Sequence, residues 1–375
     1  MRVVMFYHSL VSDWNHGNAH FLRGVATELQ ARGHRVDIYE PEDAWSVRNL
    51  VEEHGVEPIA RFHLAYPTLS STRYDLDTLD LDRALHGADL VLVHEWSDHG
   101  LVKRLGEHRA RSSSYRLLFH DTHHRAVTER ESMAAYDLRE YDGVLAYGRV
   151  LRDLYLSEGW TQYAWTWHEA ADTRLFHPIG GEEHEGDVVW IGNWGDEERT
   201  AELHEFLLGP VKSLGLRARV YGVRYPRHAK EALASAGIEY GGWLPNFEVP
   251  RTFARYRVTV HVPRRPYTEA LPGIPTIRPF ETLACGIPLV SAPWNDVEGL
   301  FSPGGDFLVA RDGEEMRDHL RLLLTDHDFA RSLAARGLRT ILERHTCAHR
   351  VNELLGIHAE LRGSTKEVVG VTNDE

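Results

Sequence analysis

Cysteine is nearly absent. The 375 residues hold two, Cys285 and Cys347, with no paired spacing, so neither a disulfide framework nor a zinc motif is expected. No run of about 18 apolar residues occurs, so no segment reads as a membrane-spanning helix. A basic surplus is also missing. With 42 Lys and Arg against 56 Asp and Glu, the formal net charge is −14. A duplex-binding surface normally leaves a basic footprint, so no nucleic-acid partner is expected. A local basic pocket for a phosphate stays open. The opening MRVVMFYHSL has one basic residue and a short apolar run before His8 and Asp13, which reads as a first strand and not a secretory leader. A cytoplasmic protein is the default expectation; the composition does not address its oligomeric state.

What is present is an alternation. Short apolar runs at Val3–Tyr7, Arg35–Tyr39, Leu90–His94, Arg116–His120, Val144–Tyr147 and Tyr163–Trp167 read as strands, several apolar throughout as a doubly covered parallel strand should be. Between the first two, Phe21, Leu22, Val25, Ala26 and Leu29 make one apolar stripe at helical spacing, and Gly33 suits the stop. The polar, Gly-rich segment 177–186 reads as a linker. The alternation then restarts at Val188–Ile191, Ala218–Tyr221, Val258–Val262, Pro288–Ser291 and Phe307–Val309. The expected fold is α/β, with two Rossmann-like doubly wound domains over 1–176 and 187–345 facing a central cleft. A terminal helix over 346–361, packing back on the first domain, and a flexible tail over 362–375 complete the expectation.

Open α/β sheets bind ligands past the carboxyl ends of their strands. Five segments fall there. The loop HSLVSDWNHGNAH offers His16, Gly17 and Asn18, with Gly17 permitting close backbone approach at a helix start. His94 and Glu95 end one strand run, and His120, His123 and His124 close or follow the next. A strand-end histidine can bond a sugar hydroxyl or act near a reacting centre. No carboxylate or cysteine completes a metal site with the three histidines, and no metal is expected. Gly192 and Arg199, in VVWIGNWGDEER, mirror the first loop, and Arg199 reaches toward a phosphate position. In RPFETLACGIPLV, Arg278 suits a phosphate and Glu281 could accept two ribose hydroxyl bonds; Trp243 is a further nucleoside candidate. Asp75, Asp77, Asp80 and Asp82 form two Asp-x-Asp pairs without strand context and read as solvated acids.

Taken in order, HGNAHFLRGVATELQARGHRV, ADLVLVHEW, LLFHDTHH, HEAADTRLFHP, VVWIGNWGDEER and RPFETLACGIPLV resemble the motif series of GT-B glycosyltransferases of family 4 and their spore-maturation-type relatives. The match runs from about Met1 to Val309, and Thr346–Leu355 is similar to the family's last helix. The resemblance implies the GT-B fold and metal-independent, retaining transfer from a UDP- or GDP-linked sugar to a sugar, lipid, metabolite or protein acceptor. It implies that His120 touches the donor sugar as the catalytic histidine, that Gly17 lies near the reacting phosphate, that Arg199 replaces a diphosphate lysine, and that Glu281 holds the ribose. Two departures stand out. Asn193 occupies a usually basic position, and Gly273 stands where the family's E-x7-E pair has its first glutamate, with Glu269 or Arg278 as substitutes. A nucleotide-sugar epimerase, an inverting transferase with His120 or Glu95 as base, and a catalytically silent nucleotide-sugar-binding protein remain alternatives.

Overall fold

The computed structural model describes residues 1–112, 114–195 and 197–369, with side chains to 363. Seven strands form the first sheet: β1 (Arg2–Phe6), β2 (Arg35–Pro41), β3 (Ser71–Tyr74), β4 (Leu90–His94), β5 (Arg116–Asp121), β6 (Gly143–Ala146) and β7 (Ala164–Thr166). Their order is β3-β2-β1-β4-β5-β6-β7, and every pairing is parallel. Six more form the second: β8 (Gly186–Ile191), β9 (Ala218–Tyr221), β10 (Ile238–Tyr240), β11 (Tyr256–His261), β12 (Leu289–Ser291) and β13 (Leu308–Val309). Their order is β10-β9-β8-β11-β12-β13, again parallel.

The apolar runs are buried on both faces, as the composition of β4 requires: all five of its residues are buried. Val91 and Val93 pack into one cluster, Leu90 and Leu92 into the other, because successive side chains point to opposite faces. The edge strands β3 and β10 have no apolar run to read. An edge strand covered on one side can be short and polar, which is why STRY and IEY escape the sequence pattern.

In each sheet the strand order reverses beside the first strand, at β1/β4 and at β8/β11. The loops at those two switch points face each other. The closing helix, Cys347–Val369, returns to pack on Ala19–Ala31. Gly24 permits that approach: a Cβ there would stand 2.5 Å from Cys347 Sγ and 2.8 Å from Asp172 Cβ. Trp167 Nε1 donates to the Arg350 carbonyl at 2.8 Å, and Cys347 N donates to the Ala171 carbonyl at 2.9 Å. The two passages of the chain between the halves therefore run side by side. The closing helix continues through Val369, into the segment expected as a tail; residues 370–375 lie outside the described residues. Both cysteines are buried free thiols. Among the described residues, no helix is long and apolar enough to cross a membrane.

Candidate active site between the two sheets

A cleft of about 970 Å³ separates the halves, lined by the loops after β1, β4, β5, β8, β9 and β11 and by the start of the helix Ile277–Ala284. This is where two facing switch points should hold a ligand. Of the expected residues, His16, Gly17, Asn18 and His123 line it from the first half. Gly192, Arg199, Trp243 and Arg278 line it from the second.

The halves touch across it. Asn193 Nδ2 donates to Asn15 Oδ1, while Asn193 Oδ1 accepts from Val223 N at 2.8 Å. Trp243 Nε1 and Asn246 N each donate to Asp13 at 3.1 Å. Trp14 and Leu50 pack against Val223, with Trp45 and Trp243 beside them. Asn193, standing in place of a basic residue, thus serves as a bridge between the halves.

Cations gather on the second half. Arg199 is clamped: its Nε donates to the Asn193 carbonyl at 3.1 Å and its Nη1 to the Val262 carbonyl at 2.8 Å, with the guanidinium 5.0 Å over Trp190. Burial, with the nearby charges of Arg264 and Arg278, pushes its pKa down. Arg264, which the sequence reading passed over, also lines the cleft; its Nη1 pairs with Glu198 Oε2 at 2.9 Å and its side chain keeps 23% exposure. Arg278 lies at the start of the helix Ile277–Ala284, whose free N–H groups face the same space. Just before it, Thr276 has φ +60°, a costly conformation for a β-branched residue. Asn15 and Arg224, at φ +48° and +57°, line the cleft too. Backbone strain concentrates at this site, as it does where geometry serves binding.

Several expectations are corrected. His120 does not reach the cleft. It has no exposed surface, its Nδ1 lies 2.7 Å from Tyr7 Oη, and Trp167 and Phe21 pack against its ring. Burial lowers its pKa to about 3, so it is neutral. The strand runs one residue past it, and Thr122, His123 and His124 occupy the lining instead. His120→Ala removes a core ring and strands the Tyr7 hydroxyl. A loss of about 2–4 kcal/mol in unfolding free energy is expected from urea titration; unchanged stability would return His120 to the list of cleft residues.

His94 and Glu95 are buried beneath the lining as well. His94 Nε2 lies 2.9 Å from Thr122 Oγ1, and Glu95 pairs with Arg125 at 2.9 Å. Burial and the charge of Asp121 raise the Glu95 pKa. Glu281 lies under the helix start with no exposed surface. It accepts from Asn246 Nδ2 at 2.8 Å, stands 3.1 Å from His20 Nδ1 and pairs with Arg278. Burial alone would raise its pKa, but Arg278, His20 and Asn246 hold it below the usual range. In this arrangement it orients Arg278 and is not presented to a ribose. Glu269 is exposed and lines a separate surface pocket with Arg265 and Glu197. Gly273 has φ +91°, and a Cβ there would stand 2.9 Å from Glu298 Cγ, so the place of the first family glutamate is sterically taken. Asp75 and Asp80 hold their own turns, Asp82 pairs with His108, and none of the four aspartates lines the cleft.

The residue most conspicuously missed is Glu169. It lines the cleft, is 5% exposed and accepts from Asn18 Nδ2 at 3.1 Å. Burial raises its pKa to about 8; the Asn18 bond opposes this and the charge of Glu281 adds to it. Three other carboxylates line the first half, and each has a donor of its own: Asp13 pairs with Arg23, Glu129 with Arg125, and Glu53 accepts from Trp14 Nε1. Among the described residues, the Glu169 carboxylate has no cation partner, and its donor is the neutral Asn18. No cluster of three or more His, Cys, Asp or Glu side chains with metal-ligand geometry occurs among the described residues.

No curated protein matches the chain by sequence. Residues 199–356 match the family model described as glycosyl transferase-like. The whole chain superposes on solved structures at low identity. A sucrose-phosphate synthase from Thermosynechococcus elongatus shares 13% identity, with 97% of this chain and 100% of that one covered and a TM-score of 0.66. An α-glucosyltransferase in complex with UDP shares 12%, covering 96% and 100%, at 0.68. The β-glucosyltransferase of T4 phage, in complex with UDP-glucose, shares 13%, covering 98% and 99%, at 0.57. The chain thus has the GT-B fold over its length, and its residues 199–356 are similar to the glycosyl transferase-like family.

Proposed function

We propose that the chain transfers a sugar from a nucleotide-diphosphate sugar held by its second half to an acceptor held against its first. The observation that carries this is the uneven charge across the cleft: Arg199, Arg224, Arg264 and Arg278 line one side, with the Glu198 carboxylate beside Arg264, and Asp13, Glu53, Glu129 and Glu169 line the other. A diphosphate belongs with the arginines and the helix start. UDP and UDP-glucose, bound by the superposed glucosyltransferases, are the first donors to test.

In the step, the bond from sugar C1 to the diphosphate oxygen breaks, and its electron pair leaves with the nucleoside diphosphate. Arg264, Arg278 and backbone N–H groups offset that charge without a metal. The acceptor oxygen forms the new bond to C1, and its proton passes to the Glu169 carboxylate. A base on the acceptor side, opposite the leaving group, favours single displacement with inversion. The retaining course implied by the family resemblance sends the proton to the departing diphosphate and leaves Glu169 idle; the anomer of the product, read by NMR, separates the two.

The test is a thermal-shift screen of UDP-, GDP-, ADP- and dTDP-linked sugars, followed by the best radiolabelled donor in buffer containing EDTA. A donor that binds the native state raises the melting point, and hydrolysis or transfer of its label supports the reading. An isomerised donor points to an epimerase, and binding without turnover to a silent protein. Arg264→Ala tests the diphosphate assignment. Loss of one charge-assisted pair is expected to weaken UDP binding by about 10- to 100-fold in calorimetry, whereas an unaltered dissociation constant would move the phosphates elsewhere.

A further inference from the structure

The acceptor side of the cleft has a chemistry of its own. Trp45 and Trp96 line it and form a corner, with ring centroids 6.2 Å apart and planes at 72°. Each ring is backed from inside: His8 stacks on Trp45 at 4.4 Å, and the Arg125 guanidinium sits 4.5 Å over Trp96. Both rings remain partly exposed. Trp45 begins the helix Trp45–His54, and Asn49 and Glu53 follow at intervals of four, so all three line the cleft from one helical face. Glu129 lines it from beyond Trp96.

The hydrogen-bonding groups here are mostly acceptors. Asn49 gives one Nδ2 hydrogen to the Trp45 carbonyl at 2.7 Å, which leaves its side-chain oxygen and one N–H; Glu53 and Glu129 contribute carboxylates. Among the described residues, no Lys or Arg lines the first half of the cleft. The histidines do not replace them: burial lowers the pKa of His16, His123 and His124, so they add no positive charge at neutral pH. A phosphate or carboxylate placed here would meet the Glu53 carboxylate, a Glu129 carboxylate already matched by Arg125, and neutral rings, with no cation among the described residues left to receive it from this side. A hydroxyl-rich ring meets the opposite conditions: flat apolar faces for its C–H surface and acceptors for its hydroxyls.

We infer that the acceptor is a sugar ring bearing no phosphate or carboxylate, seated in the corner of Trp45 and Trp96 with its hydroxyls on Asn49, Glu53 and Glu129. This rests on the glycosyl-transfer reading and narrows it to one acceptor class. An amino sugar fits the same subsite, because an ammonium gains from the carboxylates and the indole faces.

The experiment offers maltose, glucosamine, glucose 6-phosphate and a duplex oligonucleotide to the protein with its labelled donor, and measures the product by mass spectrometry. Transfer to maltose or glucosamine at ten times or more the rate to glucose 6-phosphate is expected, with none to the duplex. Trp45→Ala and Trp96→Ala should each raise the acceptor KM at least tenfold. UDP binding by each variant checks that it has folded. Asn49→Arg, on a helix face, keeps a folded alternative available: it should raise transfer to glucose 6-phosphate, which the wild type uses at least tenfold more slowly than the neutral sugars. Transfer to glucose 6-phosphate or DNA at a rate equal to the neutral sugars, no transfer to any neutral sugar, or KM values shifted less than twofold would each overturn the inference. Donor hydrolysis by the wild type without acceptor tells that failure from failure of the glycosyl-transfer reading, which would abolish hydrolysis as well.

Discussion

Glu169→Gln is expected to lower kcat by at least about 100-fold, the scale of a positioned proton acceptor, while UDP affinity changes little. Gln keeps the size of the side chain and can still accept from Asn18, so geometry survives and only proton acceptance is lost. The pH profile supplies the second readout. Burial raises the Glu169 pKa to about 8, so at neutral pH most of the free enzyme carries the proton that the base must lack. Wild-type kcat/KM should climb with pH and level off above about 8. In the variant that limb should vanish. An unaltered rate, or the same limb in Glu169→Gln, would remove Glu169 from the step and favour the retaining course.

The same group makes a stability claim of fixed sign. Its carboxyl titrates at 4.5 when unperturbed and at about 8 in the fold. Between those values the folded chain keeps a proton that the unfolded chain releases, so stability falls as pH rises through this window, by up to about 1.4 kcal/mol per unit. Gln carries no such penalty. Glu169→Gln should therefore match the wild type near pH 4 and exceed it near pH 8, where activity is lost. A catalytic group held against its own solvation has this signature.

How much of this could be read from the chain follows from which forces are local. Strand ends were legible because parallel strands are apolar runs: VLVHEW, LLFHDTHH and VVWIGNW each stop where a polar group begins, and the cleft does lie beyond them. What failed was resolution within those ends. His120 and Asp121 are neighbours on opposite faces of β5, and the strand continues one residue past the histidine, so His120 is core and His123 is lining. Glu281 failed for a related reason. A residue in the first turn of a helix can point outward or beneath, and here His20 and Asn246, distant in sequence, hold it beneath. Arg264 was within reach, since HVPRR ends β11 as the other segments end theirs. Glu169 was not: HEAADTRLFHP carries no periodicity, and what places it in the lining is contact with Asn18, 151 residues away in the chain. Interdomain position is a property of the assembled chain, and the local pattern contains no trace of it.

Gly222→Ala tests that assembled geometry and is expected to be the most damaging single methyl in the cleft. Gly222 directly follows β9, where the chain passes against the loop leaving β8. Its N donates to the Gly242 carbonyl at 2.8 Å, and its own carbonyl accepts from Tyr240 Oη at 2.8 Å, so it is fixed on both sides. A Cβ would overlap the Gly192 carbonyl oxygen and stand 2.8 Å from its carbon and 3.0 Å from Asn193 Oδ1. Those are mostly backbone atoms, which cannot swing aside as a flexible side chain would. Either the fold absorbs the overlap, at about 1–3 kcal/mol or more, or the Gly192–Asn193 loop moves. Moving it breaks the Tyr225 Oη bond to Gly192, at 2.8 Å, and the Asn193 bridge to Asn15, and it shifts the carbonyl that clamps Arg199. The loop then enters the space assigned to the diphosphate. UDP affinity should fall by about 100-fold or more, in line with loss of two or more charge-assisted contacts, together with a lower melting point. The matched control is Gly180→Ala, where a Cβ meets nothing within 4 Å and neither quantity should move. Wild-type UDP binding by Gly222→Ala would mean that the donor's phosphates do not pass between β8 and β9, and the arginine-lined half would need another ligand.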